Sequence, residues 1–166
     1  MKRLAALATA LALAIALAGC GLQPLYSGGT ASPVAQGLAS VSVAPIEGRA
    51  GWLVRNALND RLQAAGEGDK RYRLDVRLDD SLEGLGVLKD DAISRERRML
   101  RARYQLVDIS TGQIVLDATA GSDAGIDVVS SEYATIAAEQ RALENLARDV
   151  ADRMVVTLSQ QFTRGK

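Results

Sequence analysis

Few groups in this chain could do chemistry. Its 166 residues contain no histidine and one cysteine. The missing imidazole excludes Ser-His-Asp and Cys-His catalysis, histidine metal sites and histidine pH switching. A single thiol closes no internal disulfide and forms no thiolate cluster. The acid pairs Asp79-Asp80 and Asp90-Asp91 could stand for a carboxylate dyad or a cation site. Neighbours on a strand point to opposite faces, however, and the spacing of a calcium loop is absent, so they read as strand-edge and loop solubility. Ser130 and Ser131 have no base to activate them and read as helix caps. No glycine-rich phosphate loop follows a strand. What remains is arginine: Arg71, Arg73 and Arg77 in one stretch, and Arg95, Arg97, Arg98, Arg101 and Arg103 in another. The guanidinium fork suits phosphate and carboxylate. Basic and acidic residues are equal at 20 each, which argues against a nucleic-acid binder, and 4% aromatics are too few for a base-stacking platform. The reading is a binding protein, not an enzyme, with no metal and no cofactor.

The cysteine has a telling place. Lys2 and Arg3 precede an apolar run over residues 4–18, which ends in Leu17-Ala18-Gly19-Cys20. That run falls short of the ~20 residues that span a bilayer, and the small residues before Cys20 suit a signal peptidase. The pattern resembles a bacterial lipoprotein lipobox. It implies a signal peptide at 1–19 and lipid on Cys20, which would hold the chain at a membrane, since each buried CH₂ contributes ~0.8 kcal/mol. Gly21 in place of an aspartate favours the outer membrane by the same resemblance. Loss of Lys2 and Arg3 leaves the mature chain slightly acidic.

The elements that must position the arginines follow from periodicity. Residues 20–39 are rich in Gly, Ser, Ala and Pro and read as a lipidated tether, with Gln23-Pro24-Leu25-Tyr26 as either spacer or docking segment. A domain is expected over 40–163. Val41-Ser42-Val43-Ala44-Pro45 is a short strand stopped by proline. Residues 51–65 place Val54, Ala57, Leu58, Leu62 and Ala65 on one helix face, and Trp52 beside Arg49 reads as a core aromatic or a partner-facing one. Residues 71–80 alternate, with Tyr72, Leu74, Val76 and Leu78 inward. Residues 82–92 read as a loop. Residues 94–107 form a third strand, with Leu100, Ala102, Tyr104 and Leu106 inward. Asp108-Ile109-Ser110-Thr111-Gly112 is a hairpin turn. A fourth strand runs over 113–120, extensible to 126, with Ile114, Leu116, Ala118 and Ala120 inward. Residues 132–162 make one long helix seamed by Ile136, Gln140, Leu143, Ala147, Val150, Met154 and Leu158, long enough to overhang the domain. The order is β-α-β-β-β-α. The compact solution is an α+β two-layer sandwich, with two helices packed on one face of a four-stranded mixed sheet. The other sheet face is polar and carries Arg73, Arg77, Arg101 and Arg103 as the candidate binding residues, with Arg95 and Arg98 nearby. Either this face meets an anionic ligand or a polar partner wall, or its arginines pair with Asp75, Asp79 and Glu96 as a solvated surface.

Four segments together resemble one family. They are Cys20-Gly21-Leu22-Gln23-Pro24-Leu25-Tyr26 after the lipobox, Gly48-Arg49 with Leu53-Val54-Arg55-Asn56-Ala57-Leu58, Arg103-Tyr104-Gln105-Leu106-Val107-Asp108 with Thr111-Gly112, and Ser131-Glu132-Tyr133-Ala134-Thr135 with Ala138-Glu139. In this order they look like the alphaproteobacterial lipopolysaccharide-assembly lipoproteins, the LptE family. The resemblance implies a non-enzymatic outer-membrane lipoprotein that plugs the LptD β-barrel, helps it assemble and can bind lipopolysaccharide. An accessory lipoprotein of an envelope lipid-transport complex is the alternative.

Overall fold

The computed structural model describes residues 32–87 and 93–164. The signal peptide, Cys20, Gln23-Pro24-Leu25-Tyr26 and Asp90-Asp91 lie outside the described residues. Three long strands carry the fold: β2 (Tyr72–Val87), β3 (Ile93–Asp108) and β4 (Ile114–Asp127) form an antiparallel meander. A short strand β1 (Val41–Val43) pairs parallel to the start of β2, so the sheet order is β1-β2-β3-β4. Helix α2 (Gly48–Ala64) makes the crossover between β1 and β2, and α3 (Glu132–Arg164) follows β4. This is the expected one-sided α+β sandwich of helices on a four-stranded mixed sheet.

One face of the sheet meets the helices. Leu74 on β2 and Leu100, Ala102, Tyr104 and Leu106 on β3 are buried there, against Val54, Leu58 and Leu62 of α2 and Leu146, Val150, Met154 and Leu158 of α3. Full burial of one such aliphatic side chain is worth roughly 1.5–3 kcal/mol, so this layer is the principal stabilising feature. Arg61 of α2 donates to both carboxylate oxygens of Asp152 and ties the two helices together at the surface. Among the described residues no helix is long and apolar enough to cross a membrane.

The structure departs from the sequence expectations at five places. The first lies in the segment read as tether, where α1 (Pro33–Ala39) forms and buries Ala35, Leu38 and Ala39. Ser32 caps it by accepting from the Ala35 N–H at 3.1 Å, and Pro33 sits at the position where a missing N–H costs nothing. Gly37 gives α1 its close approach to α3: a Cβ there would lie 2.5 Å from the Phe162 ring. Second, residues 82–87 continue β2 and are not a loop, because the β2–β3 ladder runs out to Val87↔Ile93. Third, β4 reaches Asp127 and contains a bulge, with Leu106 facing Leu116 but Val107 facing Ile114. The extra residue reverses the alternation, so Ile114 lies 55% exposed and not in the core. Fourth, Ile136 and Gln140 continue the α3 stripe but are exposed, and continuous burial starts at Ala142. The first turns of α3 run past α2, since 33 residues make a rod of ~50 Å against ~25 Å for α2, but they stay over the sheet, where Thr135 is buried and the Glu139 carbonyl accepts from Arg98 of β3. Fifth, α2 begins at Gly48, and Trp52 is 63% exposed, which removes the core reading of that side chain.

The predicted turn between β3 and β4 is built around Asp108. Its carboxylate accepts from the Ser110 hydroxyl, from the Ser110 N–H at 2.9 Å and the Thr111 N–H at 3.3 Å, and from Arg71 Nε at 3.3 Å. Gly112 closes the turn at φ 71°, where a Cβ would be strained. The Ser110 hydroxyl first, and then these N–H donors and Arg71, hold the Asp108 carboxyl below its ordinary value against the opposing effect of burial.

Two outcomes are expected. Leu143→Asp should abolish the cooperative thermal transition, because it drives a charge into the helix–sheet layer. Ile136→Asp, on the same stripe but 43% exposed, should change stability by under ~0.5 kcal/mol. Circular dichroism melts of the two variants check this, and equal effects would contradict the boundary of the buried stripe. A depressed folded-state pKa stabilises above the unfolded value and is lost as pH falls through the folded one. Stability should therefore decline as pH drops below ~3.9, and Asp108→Asn should flatten that decline in melts recorded across the acid range.

Candidate functional site

Nothing in the described chain covers the second face of the sheet. Strand alternation sends Arg73, Asp75, Arg77, Asp79 and Glu83 of β2 to it, with Arg95, Arg97, Met99, Arg101, Arg103 and Gln105 of β3. From β4 come Asp117, Thr119, Gly121, Asp123, Gly125 and Asp127. The register decides which charges meet. Arg73 donates to Asp75 at 2.9 Å within its own strand. Arg103 reaches Asp117 at 3.0 Å, and Gln105 donates to the same carboxylate at 2.8 Å. Arg97 pairs with Asp123 at 3.0 Å, and Arg95 with Asp127 at 3.6 Å. The Arg103 hydrogen bond, followed by that of Gln105, holds the Asp117 carboxyl below the usual aspartate range. These pairs are exposed, and pairs of that kind contribute ~0–1 kcal/mol. Their importance lies in which guanidinium groups they occupy.

Arg77 and Arg101 are left over. Among the described residues Arg77 has no hydrogen-bond or carboxylate partner, and Arg101 donates only to the Ser122 carbonyl, at 3.3 Å. They stand on neighbouring strands, Arg77 opposite Arg103 and Arg101 opposite Asp79. Gly121 of β4 faces Arg101 across the ladder, and a Cβ there would lie 2.5 Å from the Arg101 Cδ. The glycine is the trough in which the Arg101 side chain lies. From α3, Arg153 reaches the edge of β4 and donates to the Gly121 carbonyl. Arg77, Arg101, Arg103 and Arg153 thus line one shallow depression of about 670 Å³, together with the carboxylates of Asp79 and Asp123. Three guanidinium groups without a carboxylate partner around an open concavity could offer hydrogen bonds to an anion, Arg101 and Arg153 from the donors not already given to the Ser122 and Gly121 carbonyls. Among the described residues no cluster of acids could hold a metal ion.

The four candidates therefore divide. Arg77, Arg101 and Arg103 come together around the depression, Arg103 with Asp117 as its partner, while Arg73 lies outside it and is engaged by Asp75. Arg98 is not on this face. It points to the helix layer, where it donates to Asp80 at 2.8 and 2.7 Å and to the Glu139 carbonyl at 3.2 Å. Those Asp80 hydrogen bonds raise its pKa above the ordinary value. Nor does Glu96 pair with the arginines of the outer face: its register partners Gly84 and Ile126 share the helix-facing side. Of the acids expected to neutralise this surface, Asp75 does so and Asp79 has no ion pair. Sequence reading missed Arg153, which sits on the exposed stripe of a helix and gives no sign that it bends round a sheet edge. Gly121 was readable in principle, since a glycine inside a strand marks a close approach.

Comparison with known proteins places this geometry. No curated protein matches the chain in sequence. Among solved structures, a candidate lipoprotein of Caulobacter crescentus is similar at 25% identity and TM-score 0.65, over 80% of this chain and 97% of that one. A minor lipoprotein of Acinetobacter baumannii is similar at 14% identity and TM-score 0.55, over 72% and 91%. The rare lipoprotein B of Shewanella oneidensis is similar at 14% identity and TM-score 0.53, over 75% and 95%; the last two likenesses show the fold. A family model described as LptE, lipopolysaccharide-assembly, matches residues 38–158. That match spans α2, all four strands with the arginine face, and α3 as far as Leu158, and the chain belongs to the LptE lipopolysaccharide-assembly family.

Proposed function

We propose that this protein is an outer-membrane lipoprotein, held by lipid on Cys20, that plugs an LptD-type β-barrel, helps it assemble and supports lipopolysaccharide insertion into the outer leaflet. A role in lipopolysaccharide assembly comes with the family; the barrel, the anchor, the outer membrane and the absence of catalysis belong to this proposal. The observation that carries it is the uncovered sheet face with Arg77 and Arg101, neither held by a carboxylate, at its centre. The interior of a membrane barrel is polar, and a flat polar face with hydrogen-bonding forks is complementary to such a wall. The same free forks fit the phosphates of lipid A, which are the anionic groups that lipopolysaccharide offers. Charge-assisted hydrogen bonds to a desolvated phosphate are worth ~1.5–3 kcal/mol each. Arg73 and Arg103 would contribute less, because a ligand must first displace Asp75 and Asp117. The lipoprotein neighbours support the Cys20 anchor.

Depletion of the protein in cells is expected to lower both mature barrel and surface lipopolysaccharide. Arg77→Glu combined with Arg101→Glu should weaken lipopolysaccharide binding at least about tenfold while the melting curve stays near wild type. Arg73→Glu alone should have a smaller effect. Unchanged barrel and lipopolysaccharide levels on depletion would refute the plug, and wild-type binding by the double variant would refute the arginine site.

A further inference from the structure

Strand β2 loses its outer neighbour early. The Leu74 carbonyl accepts from the Ala44 N–H at 3.1 Å, so the even-numbered residues of β2 turn their backbone groups toward β1. Strand β1 ends at Val43, opposite Leu74, while β2 runs on to Val87. Over that stretch, ~35 Å long, the even-numbered residues face an open edge, and among the described residues their backbone groups have no partner there. The β4 edge is treated otherwise: its Val115 carbonyl accepts from Gln161 at 3.0 Å and its Gly121 carbonyl from Arg153, a common way to blunt an edge. The helix-facing side of β2 opens along the same stretch. Leu74 is buried, Val76 and Leu78 are half-buried, and Leu82 is 43% exposed. Helix α2 starts beside this stretch. Its Arg55 Nε donates to the Val43 carbonyl at 3.5 Å, so that side of α2 fronts the end of β1. Trp52 shares the side of Arg55 and stands ~4.5 Å nearer the helix start, past the end of β1. It is 63% exposed. On the outer side Glu83 stands opposite Arg97, which is taken by Asp123, and Asp79 stands opposite Arg101, which donates to the Ser122 carbonyl. Both carboxylates are thus left without an ion pair.

We propose that this edge takes an extended segment of a protein partner as a fifth strand, one with apolar side chains at alternate positions and basic ones opposite Asp79 and Glu83. The unpaired backbone row selects extended chain, because a helix has spent its own donors and acceptors internally and only a strand can answer the row. On the helix-facing side Leu78 and Leu82, with Trp52 beside them, offer apolar surface to every second residue of the added strand. Asp80 lies between the two leucines, but its charge is already held by two hydrogen bonds from Arg98. On the outer side Asp79 and Glu83 are four residues apart and call for two cations at the same spacing. Opposed side chains stand ~4.5–5.5 Å apart at Cβ, close enough for these contacts. A neutral residue opposite Arg77 suffices, so that guanidinium stays available to the depression. The inference concerns the edge of the sheet and does not rest on the lipopolysaccharide reading.

The probe is a dye-labelled, amidated peptide of about nine residues that alternates valine with lysine or threonine, its two lysines four residues apart. It is titrated into the full chain in detergent, and binding is read by anisotropy. Saturable binding is expected, with the emission of Trp52, the single tryptophan of the sequence, shifting in step. Exchange of both lysines for glutamate should weaken binding about tenfold, and this comparison needs no variant of the protein. Leu82→Pro removes an N–H that points to the open edge and leaves the β2–β3 ladder intact, so it should weaken binding at least about fivefold. Leu82→Ala keeps that N–H and should lose less. Circular dichroism confirms that each variant folds. No saturable binding up to millimolar peptide overturns the proposal, as does binding indifferent to the lysine exchange or to Leu82→Pro.

Discussion

The packing of one sheet face against α2 and α3 is the contact on which everything else depends. It exists because β2 and β3 alternate apolar and charged residues over most of their length, and a strand sends alternate residues to opposite faces. Leu74, Leu100, Tyr104 and Leu106 go to the helices and are almost wholly buried. The same alternation delivers charges to the other side without further design. A second helix layer there would bury Arg77, Arg101 and their neighbours against apolar side chains, at the cost of desolvating each charge. The uncovered face is therefore a consequence of the core, and it leaves a flat charged surface free for a partner.

Within that surface the chemistry is set by register. Arg103 and Arg97 are each taken by an aspartate one step along β4, whereas Arg101, opposite Asp79 and Gly121, forms no ion pair, and Arg77 stands opposite Arg103. Asp117 and Asp123 of β4 occupy Arg103 and Arg97, whereas Thr119 and Gly121 between them offer no carboxylate. Arg101 lies beside this gap and donates to the Ser122 carbonyl, with no carboxylate partner. Gly121 adds the trough that lets this side chain lie flat, and Arg153 supplies a third guanidinium from the helix layer. Pairing of Arg103 and Arg97 leaves Arg77, Arg101 and Arg153 around one depression without carboxylate partners, the arrangement on which the proposed anion site rests.

Much of this was legible in the residues. The four strands, α2, α3, the Asp108 turn and the one-sided sandwich follow from two periodicities and a few turn residues, and the family resemblance agrees with the matched model. Ser131 caps α3 as its position suggests, accepting from the Ala134 N–H at 3.4 Å. What was not legible has particular causes. Helix α1 is too short to show a period, and only Ser32-Pro33 marks its start. Ile114 was placed on the wrong face because a bulge has no signature in a run of β-branched and aliphatic residues. Ile136 and Gln140 keep helical spacing, but spacing cannot say where the covering layer stops. Arg98 lies one step out of phase with Arg97 and so belongs to the opposite face. Which arginines are free depends on cross-strand partners, and these need the register of all three long strands.

The central claim is that the uncovered sheet face is the working surface. Photo-cross-linking in living cells tests it most directly, with a photoreactive residue placed in turn at Arg77, Arg101 and Thr119 on the sheet and at Glu144 and Arg148 on the solvent side of α3. Cross-links to a large outer-membrane barrel or to lipopolysaccharide from the sheet positions, with the helix positions silent, are predicted. Cross-links from the helix positions alone would contradict it.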